Sequence, residues 1–353
     1  MKSRVNYIDN LRTITVYLLI IYHLSVAYNS WGEANYIFFE RVNPIASIVV
    51  FVSPWFMPLM FLLAGVSAAF SLKKRSNSDF IKERLKRLGI PLIFGIIFIN
   101  PVLSFIADKT HNSYGGGYFE HYSVFFTKFT DLTGYDGGFT LGHLWFIAVL
   151  IVISCAGCGI IKIIDSLCRK NKKSMIIVSV ILAVLAVALF DVTFFGKKIP
   201  TYLCLYLLGY YLADNRNFTE RLIKFKWVFF VTFVITSLMN AILFVYIEDY
   251  TLLNNICNYL SFATGIPALI CFGKTYLDFS NTFSTYCRKL SYVFYIIHFP
   301  VVVLCQYFIS LSGVGCIYNF LLSLVLSSLV TCGICYIIDK NKALGILFGL
   351  KKW

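Results

Sequence analysis

Charged residues are scarce in this sequence. Asp, Glu, Lys and Arg make up 14% of the 353 residues, whereas 59% are hydrophobic. A soluble protein needs far more charge than this to cover its surface. The composition therefore excludes an ordinary soluble protein and predicts a polytopic membrane protein.

Other features are missing as well. The sequence contains no internal repeat and no low-complexity tract, and neither end carries a polar region typical of a soluble domain. We therefore expect one membrane domain over residues 1–353. The first apolar stretch lacks a small-residue cleavage site, so we expect it to be retained and not removed as a signal peptide.

Cysteine is present but shows no ordered pattern. The 11 cysteines are scattered through apolar runs and connecting segments. Cys155 with Cys158, and Cys332 with Cys335, have a spacing typical of metal sites, yet further ligands are not nearby in the sequence. We interpret both pairs as packing residues, and expect neither a disulfide framework nor a metal site.

Long apolar runs fill most of the chain. A helix needs about 20 apolar residues to cross a bilayer, and about ten runs approach that length, the run at 200–213 being short. The fold class is therefore predicted to be all-α, with about ten transmembrane helices. The runs lie at residues 13–28, 45–72, 88–106, 143–164, 175–195, 200–213, 227–247, 256–276, 290–311 and 318–338.

Positive charge is concentrated in alternate connecting segments, such as 73–87, 169–173 and 216–226. Because cytoplasmic loops are enriched in Lys and Arg, this alternation predicts cytoplasmic N- and C-termini. Topology and anionic membrane lipid then account for the net charge of +14, which gives no reason to expect nucleic acid as a partner. The segments predicted to lie outside contain Arg41, Lys109, Lys128, Lys197 and Lys198.

Two connecting segments have a pattern of their own. In the inner one, Ser78 and Asp79 are predicted to start an amphipathic helix over about 78–90 that leads into the third span. The outer one, about 107–142, is the longest loop, and its YFEHYSVFFTKF stretch predicts an aromatic interfacial helix. This outer loop either receives a hydroxyl-rich acceptor or forms an aromatic belt with a solvated turn. Its candidate acceptor-binding acids are Asp108, Glu120, Asp131 and Asp136.

Arg12 and His23 lie in the stretch RTITVYLLIIYH of the first span. Eleven steps of about 100° return a helix to within roughly 20° of the same face, about 16 Å further along the axis. Asp9, three residues before Arg12, is its expected partner. Ionisable groups inside a membrane are costly and usually functional, so this face of the helix is a candidate site.

Other candidates lie further along the chain. Arg84 and Arg87 have i, i+3 spacing, which suits bidentate binding of phosphate but is also compatible with an ordinary positively charged inner loop. His143 in GHLWF and His298 in YIIHFP are membrane histidines near helix ends. Together with Trp145, these histidines either have a structural role or contribute to a site that binds an acceptor substrate.

These residues fall in a series of motifs that resembles a known family. YIDNLRTITVYLLIIYH, PWFMPLMFLLAGVSAAFSLKKRSNSDFIKERLKRLGIP, GHLWF and SYVFYIIHFP follow one another in the chain. In this order they resemble the membrane-bound acyltransferase family 3, over residues of about 4 to 338. Within that family, FMPLMFLLAG is most similar to the branch that includes glucan-modifying acyltransferases of the OpgC type.

The resemblance implies an O-acyltransferase of the bacterial plasma membrane. Its donor is expected to be cytoplasmic acyl-CoA, with acetyl-CoA the first choice, and its acceptor a hydroxyl of an extracytoplasmic carbohydrate or glycolipid. His23 matches the essential histidine and is the expected general base, supported by Arg12 and Asp9. Arg12, Arg84 and Arg87 are the expected acyl-CoA-binding residues, and no metal is implied. We do not expect the hydrolase-like domain that is fused to some members within residues 1–353.

Two other classes of function stay open at this point. A secondary transporter could use Asp9, Arg12 and His23 as a relay, and Pro54 and Pro58 break the second span. Inverted repeats, which many transporters have, are not visible. A membrane sensor or scaffold with decayed chemistry is the other alternative, and the presence of Arg12, His23, Arg84 and Arg87 argues against it.

Overall fold

A computed structural model of the chain describes residues 5–33, 35–168, 171–213, 216–248 and 251–350. Within these ranges the secondary structure is helical, apart from one bridge between Phe194 and Lys197. The α-helices are α1 Asn6–Val26, α2 Asn43–Val52, α3 Phe56–Leu72, α4 Asn77–Arg84, α5 Ile90–Phe98, α6 Asn100–His111, α7 Tyr118–Thr127, α8 Trp145–Leu167, α9 Lys172–Ala188, α10 Ile199–Leu212, α11 Arg216–Ile223, α12 Lys226–Ala241, α13 Leu252–Tyr276, α14 Thr282–Ser310, α15 Cys316–Lys340 and α16 Lys342–Leu347.

The prediction of an all-α polytopic membrane protein is confirmed. Seven helical stretches of the described chain are long and apolar enough to cross a membrane. Two further predicted runs form the shorter apolar helices α9 and α10. The first predicted run forms α1, which has 21 residues but falls outside the seven because Asp9, Arg12 and His23 lower its hydropathy. The cytoplasmic position of both termini stays a prediction. Some of the positive charges in the segments predicted to be cytoplasmic lie outside the described residues, namely Lys2, Arg4, Arg169, Lys170, Lys351 and Lys352.

The described residues divide into two compact units, each made of three stretches of chain. The first contains Met1–Thr15, Val50–Lys86 and Val149–Asn281. In it α3 and α10 lie in close backbone contact. A side chain at Gly65 would collide with the Tyr206 carbonyl oxygen, and one at Gly209 would collide with the Leu62 carbonyl oxygen. Only glycine at these two positions permits the observed approach.

The second unit contains Val16–Val49, Arg87–Ala148 and Thr282–Trp353. In it α14 packs along α15, and buried amides join the helices. The Gln306 side chain donates to the Leu24 carbonyl (3.1 Å), and the Asn319 side chain donates to the Gln306 carbonyl (3.2 Å). Such bonds satisfy polar groups that cannot reach water inside a membrane. The single domain expected over residues 1–353 stays a prediction.

The inner connecting helix begins slightly earlier than expected. Ser76, and not Ser78, caps α4, because its hydroxyl accepts a hydrogen bond from the Asp79 amide at 3.1 Å. The chain then widens into a π-helical turn, Leu85–Gly89, before α5. One residue more per turn displaces side chains from the 3.6-residue period. Leu85, the first residue of this turn, is 47% exposed.

The outer segment 107–142 has a folded structure of its own. The helix predicted there is present as α7. His121 of α7 is fully buried, and its Nε2 lies 3.1 Å from a carboxylate oxygen of Asp108. The proposed acceptor-binding acids all take part in hydrogen bonds within this segment. Asp108 accepts from Asn112, Glu120 from the Gly117 amide, Asp131 from Thr133 and Asp136 from the Gly138 amide.

Candidate active site

Arg12 lies in the first unit, where three groups hold its side chain. Its guanidinium contacts Asp9 Oδ1 at 3.4 Å and donates to the Leu63 carbonyl at 3.2 Å and to the Ser67 hydroxyl. The pairing predicted between Asp9 and Arg12 is therefore present. The contacts with α3 were not predicted, since sequence spacing does not show which helix packs against α1. The result is a half-buried cation fixed to two helices.

His23 lies in the second unit, near the end of α1, among aromatic rings. Its ring stacks on Phe299 with centroids 3.9 Å apart, and the His298 ring lies 5.3 Å away. Tyr22 meets it edge-on at 5.3 Å. The ring is half-buried. It is thus held in a defined plane while part of its surface is open.

Pro300 explains why His143 is near this ring cluster. Proline has no backbone N–H, so Pro300 inside α14 leaves the carbonyl four residues earlier without its helical partner. That carbonyl belongs to Ile296, and His143 Nε2 lies 2.9 Å from it. Because a carbonyl only accepts, the neutral His143 ring carries its hydrogen on Nε2. His143 therefore supplies the hydrogen bond that Pro300 removes from the helix.

His298 uses the other ring nitrogen, Nδ1, to bond backbone carbonyls. Its Nδ1 lies 2.7 Å from the Tyr295 carbonyl and 3.1 Å from the Phe294 carbonyl. These acceptors place the hydrogen of the neutral ring on Nδ1 and the lone pair on Nε2. The side chain is fully buried, and its ring centroid lies 5.2 Å from that of His143. The His298 ring thus lies next to both the His23 ring and the His143 ring.

Tyr295 was not predicted as a site residue, and it fixes the turn that carries His143. Its hydroxyl donates to the His143 carbonyl, and its ring contacts Phe146 at 5.8 Å. Trp145 is half-buried and meets Phe146 at 6.4 Å. The motif YIIHFP held a signal for this arrangement, because a proline inside a helix predicts one carbonyl that needs a new donor. Which residue supplies that donor is not readable from the motif.

The two arginines of the pair lie at the end of the inner helix α4 and in the turn after it. Arg84 ends α4, is half-buried, and lies with its guanidinium carbon 5.0 Å from the centre of the Phe80 ring. Arg87 lies in the π-helical turn and is exposed. The wider turn between them changes the i, i+3 geometry from that of a regular helix. Both guanidinium groups have the planar donor arrangement that suits bidentate binding of phosphate.

The three histidine rings pack against one another and against aromatic side chains. Among the described residues, no group of three or more His, Cys, Asp or Glu side chains is arranged to hold a metal ion. Two of the rings, His143 and His298, have one nitrogen bonded to a backbone carbonyl oxygen. The chemistry open to the cluster is proton transfer by an imidazole within an apolar, aromatic environment.

Comparison with known proteins gives one match. Residues 5–340 match acyltransferase family 3, a family described as an acyltransferase domain. That range contains every candidate residue in the two units. No curated protein and no solved structure shows significant similarity to the chain.

Proposed function

Because the chain belongs to acyltransferase family 3, we propose that it moves a short acyl group from cytoplasmic acyl-CoA to an extracytoplasmic hydroxyl. The acceptor is a carbohydrate or glycolipid of the cell envelope, and the enzyme resides in the plasma membrane. Acetyl-CoA is the donor to test first. The observation that carries this proposal is the half-buried His23 ring, stacked on Phe299 in a chain of this family.

His23 acts as the general base. Its ring takes the proton of the acceptor hydroxyl as that oxygen attacks the thioester carbonyl, and general-base catalysis of this kind contributes about 10²- to 10⁴-fold. The aromatic contacts of His23 support this role because they fix the plane of the ring. Positioning of the two substrates supplies a large part of the remaining acceleration.

Arg84 and Arg87 bind the phosphates of CoA. An exposed guanidinium and a half-buried one, on the segment predicted to lie at the cytoplasmic face, provide permanent positive charge and bidentate donors. Arg12 takes a supporting role on the donor side. Asp9 and Ser67 restrict its side chain, so little conformational entropy is lost when it binds an anion.

The test is release of free CoA. Purified protein in nanodiscs is incubated with acetyl-CoA labelled in the acetyl group and with an envelope glycan fraction. We expect free CoA and labelled glycan to appear together, at rates that require both substrates. Flux of a solute across proteoliposomes without any CoA requirement would instead support the transporter. Comparing O-acyl groups in envelope glycans from cells with and without the protein then identifies the acceptor.

A further inference from the structure

His298 is the ring that links the other two membrane histidines. Its centroid lies 5.3 Å from that of His23 and 5.2 Å from that of His143. His298 is fully buried, whereas His23 is only half-buried. A partly open ring can meet a substrate, and a fully enclosed ring beside it cannot. His298 is therefore placed to act on His23 and not on the substrate.

The lone pair of His298 is its unused group. The Tyr295 and Phe294 carbonyls occupy Nδ1, which leaves Nε2 as an acceptor. Among the described residues, no hydrogen-bond partner meets His298 Nε2, although the atom is buried. A buried acceptor without a partner has lost its hydration without gaining a hydrogen bond in return, which is unfavourable. Such an atom in a native protein calls for a physical explanation, and a catalytic role is one such explanation.

We propose that His298 is a positioning residue for His23, whose ring N–H donates a hydrogen bond to His298 Nε2 during the reaction. The ring centres are 5.3 Å apart and the ring planes are tilted by 43°, so a modest rotation of the His23 ring brings its N–H within reach of His298 Nε2. The bond fixes which nitrogen of His23 carries the hydrogen, so that the other nitrogen is free to accept a proton. This inference rests on the proposed function, in which His23 is the base.

The proton balance of the step is simple. The acceptor O–H bond breaks as its oxygen bonds to the thioester carbonyl carbon, and the proton goes to the second ring nitrogen of His23. The C–S bond then breaks with its electron pair on sulfur, and the CoA thiolate takes that proton from His23. His298 keeps its own hydrogen on Nδ1 throughout. Its lone pair orients His23 and stabilises the transient imidazolium, as the third member of a catalytic triad does.

Two substitutions separate this role from a structural one. Asparagine in H298N can still donate near the Nδ1 position but offers nothing at Nε2, whereas glutamine in H298Q can place an amide oxygen near Nε2. We expect H298N to lower kcat by about ten- to hundred-fold, the usual effect of losing an orienting partner, with little change in KM for acetyl-CoA. H298Q should recover most of kcat. H111N, which changes an exposed histidine, is the matched control with wild-type kcat.

Any of three results would overturn the inference. One is an H298N enzyme with wild-type kcat. Another is an equal loss in H298N and H298Q, because that pattern assigns His298 a role in holding the helix through Nδ1 alone. A loss confined to KM would also contradict it, since a positioning residue acts on the chemical step.

A second readout does not depend on turnover. The chain has five histidines, so ¹⁵N NMR of histidine-labelled protein can assign each ring by single substitution. We expect H298N to shift the His23 ring nitrogens and H111N to leave them unchanged. A wild-type protein that releases no CoA would refute the proposed function. Unchanged His23 shifts in H298N would refute the present inference, whether or not the protein turns over.

Discussion

Pro300 determines which ring nitrogen of His143 carries the hydrogen, although the two residues are more than 150 positions apart in the chain. By leaving the Ile296 carbonyl without an amide donor, it creates the acceptor that His143 Nε2 occupies at 2.9 Å. The ring hydrogen of His143 is thereby fixed on one nitrogen. A residue with no chemistry of its own thus orders a histidine of the candidate site.

This account predicts an energetic coupling between the two residues. H143A should destabilise the protein by about 1–3 kcal/mol, the cost of an unsatisfied buried carbonyl. P300A supplies a backbone N–H that can bond to the same carbonyl, so the double variant H143A/P300A should recover part of that loss. Unfolding of the four proteins in detergent measures the coupling. Strictly additive effects would mean that Pro300 does not create the need for His143.

Contacts between elements explain other parts of the sequence. Helices α3 and α10 approach so closely that Gly65 and Gly209 face backbone oxygens. Backbone atoms cannot move aside as a flexible side chain can. The same pair of helices carries Ser67, which binds Arg12. Close packing of this kind follows from small residues in apolar runs, but the sequence alone does not say which runs are partners.

Substitution of either glycine tests this contact. G65V or G209V should destabilise the first unit by about 1–3 kcal/mol or more, because overpacking here must displace a helix backbone. A methyl group added at Gly159 of α8 would meet no atom within 4 Å. G159A is therefore the matched control, and we expect it to be neutral or slightly stabilising. Melting temperatures in one detergent compare the variants, and an equal melting temperature for G65V and wild type would refute the close contact.

The outer segment should respond to pH through His121. Burial lowers the pKa of His121 below 6.5, and this effect outweighs pairing with Asp108, which raises it. Since the folded pKa lies below the unfolded one, the stabilisation is complete above pH 6.5 and is lost as pH falls towards the folded pKa. Hydrogen exchange of residues 107–142 should therefore accelerate, after correction for intrinsic rates, between pH 7.5 and 5.5.

The matched variants for this measurement lie in the same segment. H121F removes the titrating ring and should abolish the pH dependence, whereas H111N should retain it. Asp136 titrates in a different window. Burial raises its pKa, but hydrogen bonds from Thr130 and the Gly138 amide, with Lys128 nearby, bring it below 3.8. Its stabilisation is lost only as pH falls below that value, so a pH dependence that persists in H121F above pH 5.5 would contradict the assignment.

The inner segment should control affinity for CoA. R84E/R87E should weaken CoA binding by about ten- to hundred-fold, because it replaces charge-assisted donors by repulsive carboxylates. The neighbouring pair K82E/K86E makes the same change in net charge and should weaken binding much less. Isothermal titration of CoA into protein in nanodiscs gives both values. Equal losses in the two variants would show general attraction by a positive loop and not an arginine site.

At the scale of the whole molecule, composition and apolar runs predict the fold class because every membrane helix must satisfy its own backbone. The predicted runs fall on helices for that reason. Irregular features depend on packing and were not predictable, such as the π-helical turn at Leu85–Gly89. The contacts of the candidate site were likewise predictable only in part. Asp9 as the partner of Arg12 follows from helix spacing, whereas Ser67 and Tyr295 depend on contacts between distant segments.

The central claim is that His23 performs the chemistry of acyl transfer. The most direct measurement compares wild type and H23A in nanodiscs, following CoA release from acetyl-CoA together with CoA affinity. We predict that H23A inserts and binds CoA like wild type while its kcat falls by about 10²- to 10⁴-fold. An H23A protein that binds CoA and releases it from acetyl-CoA at the wild-type rate would remove His23 from the mechanism.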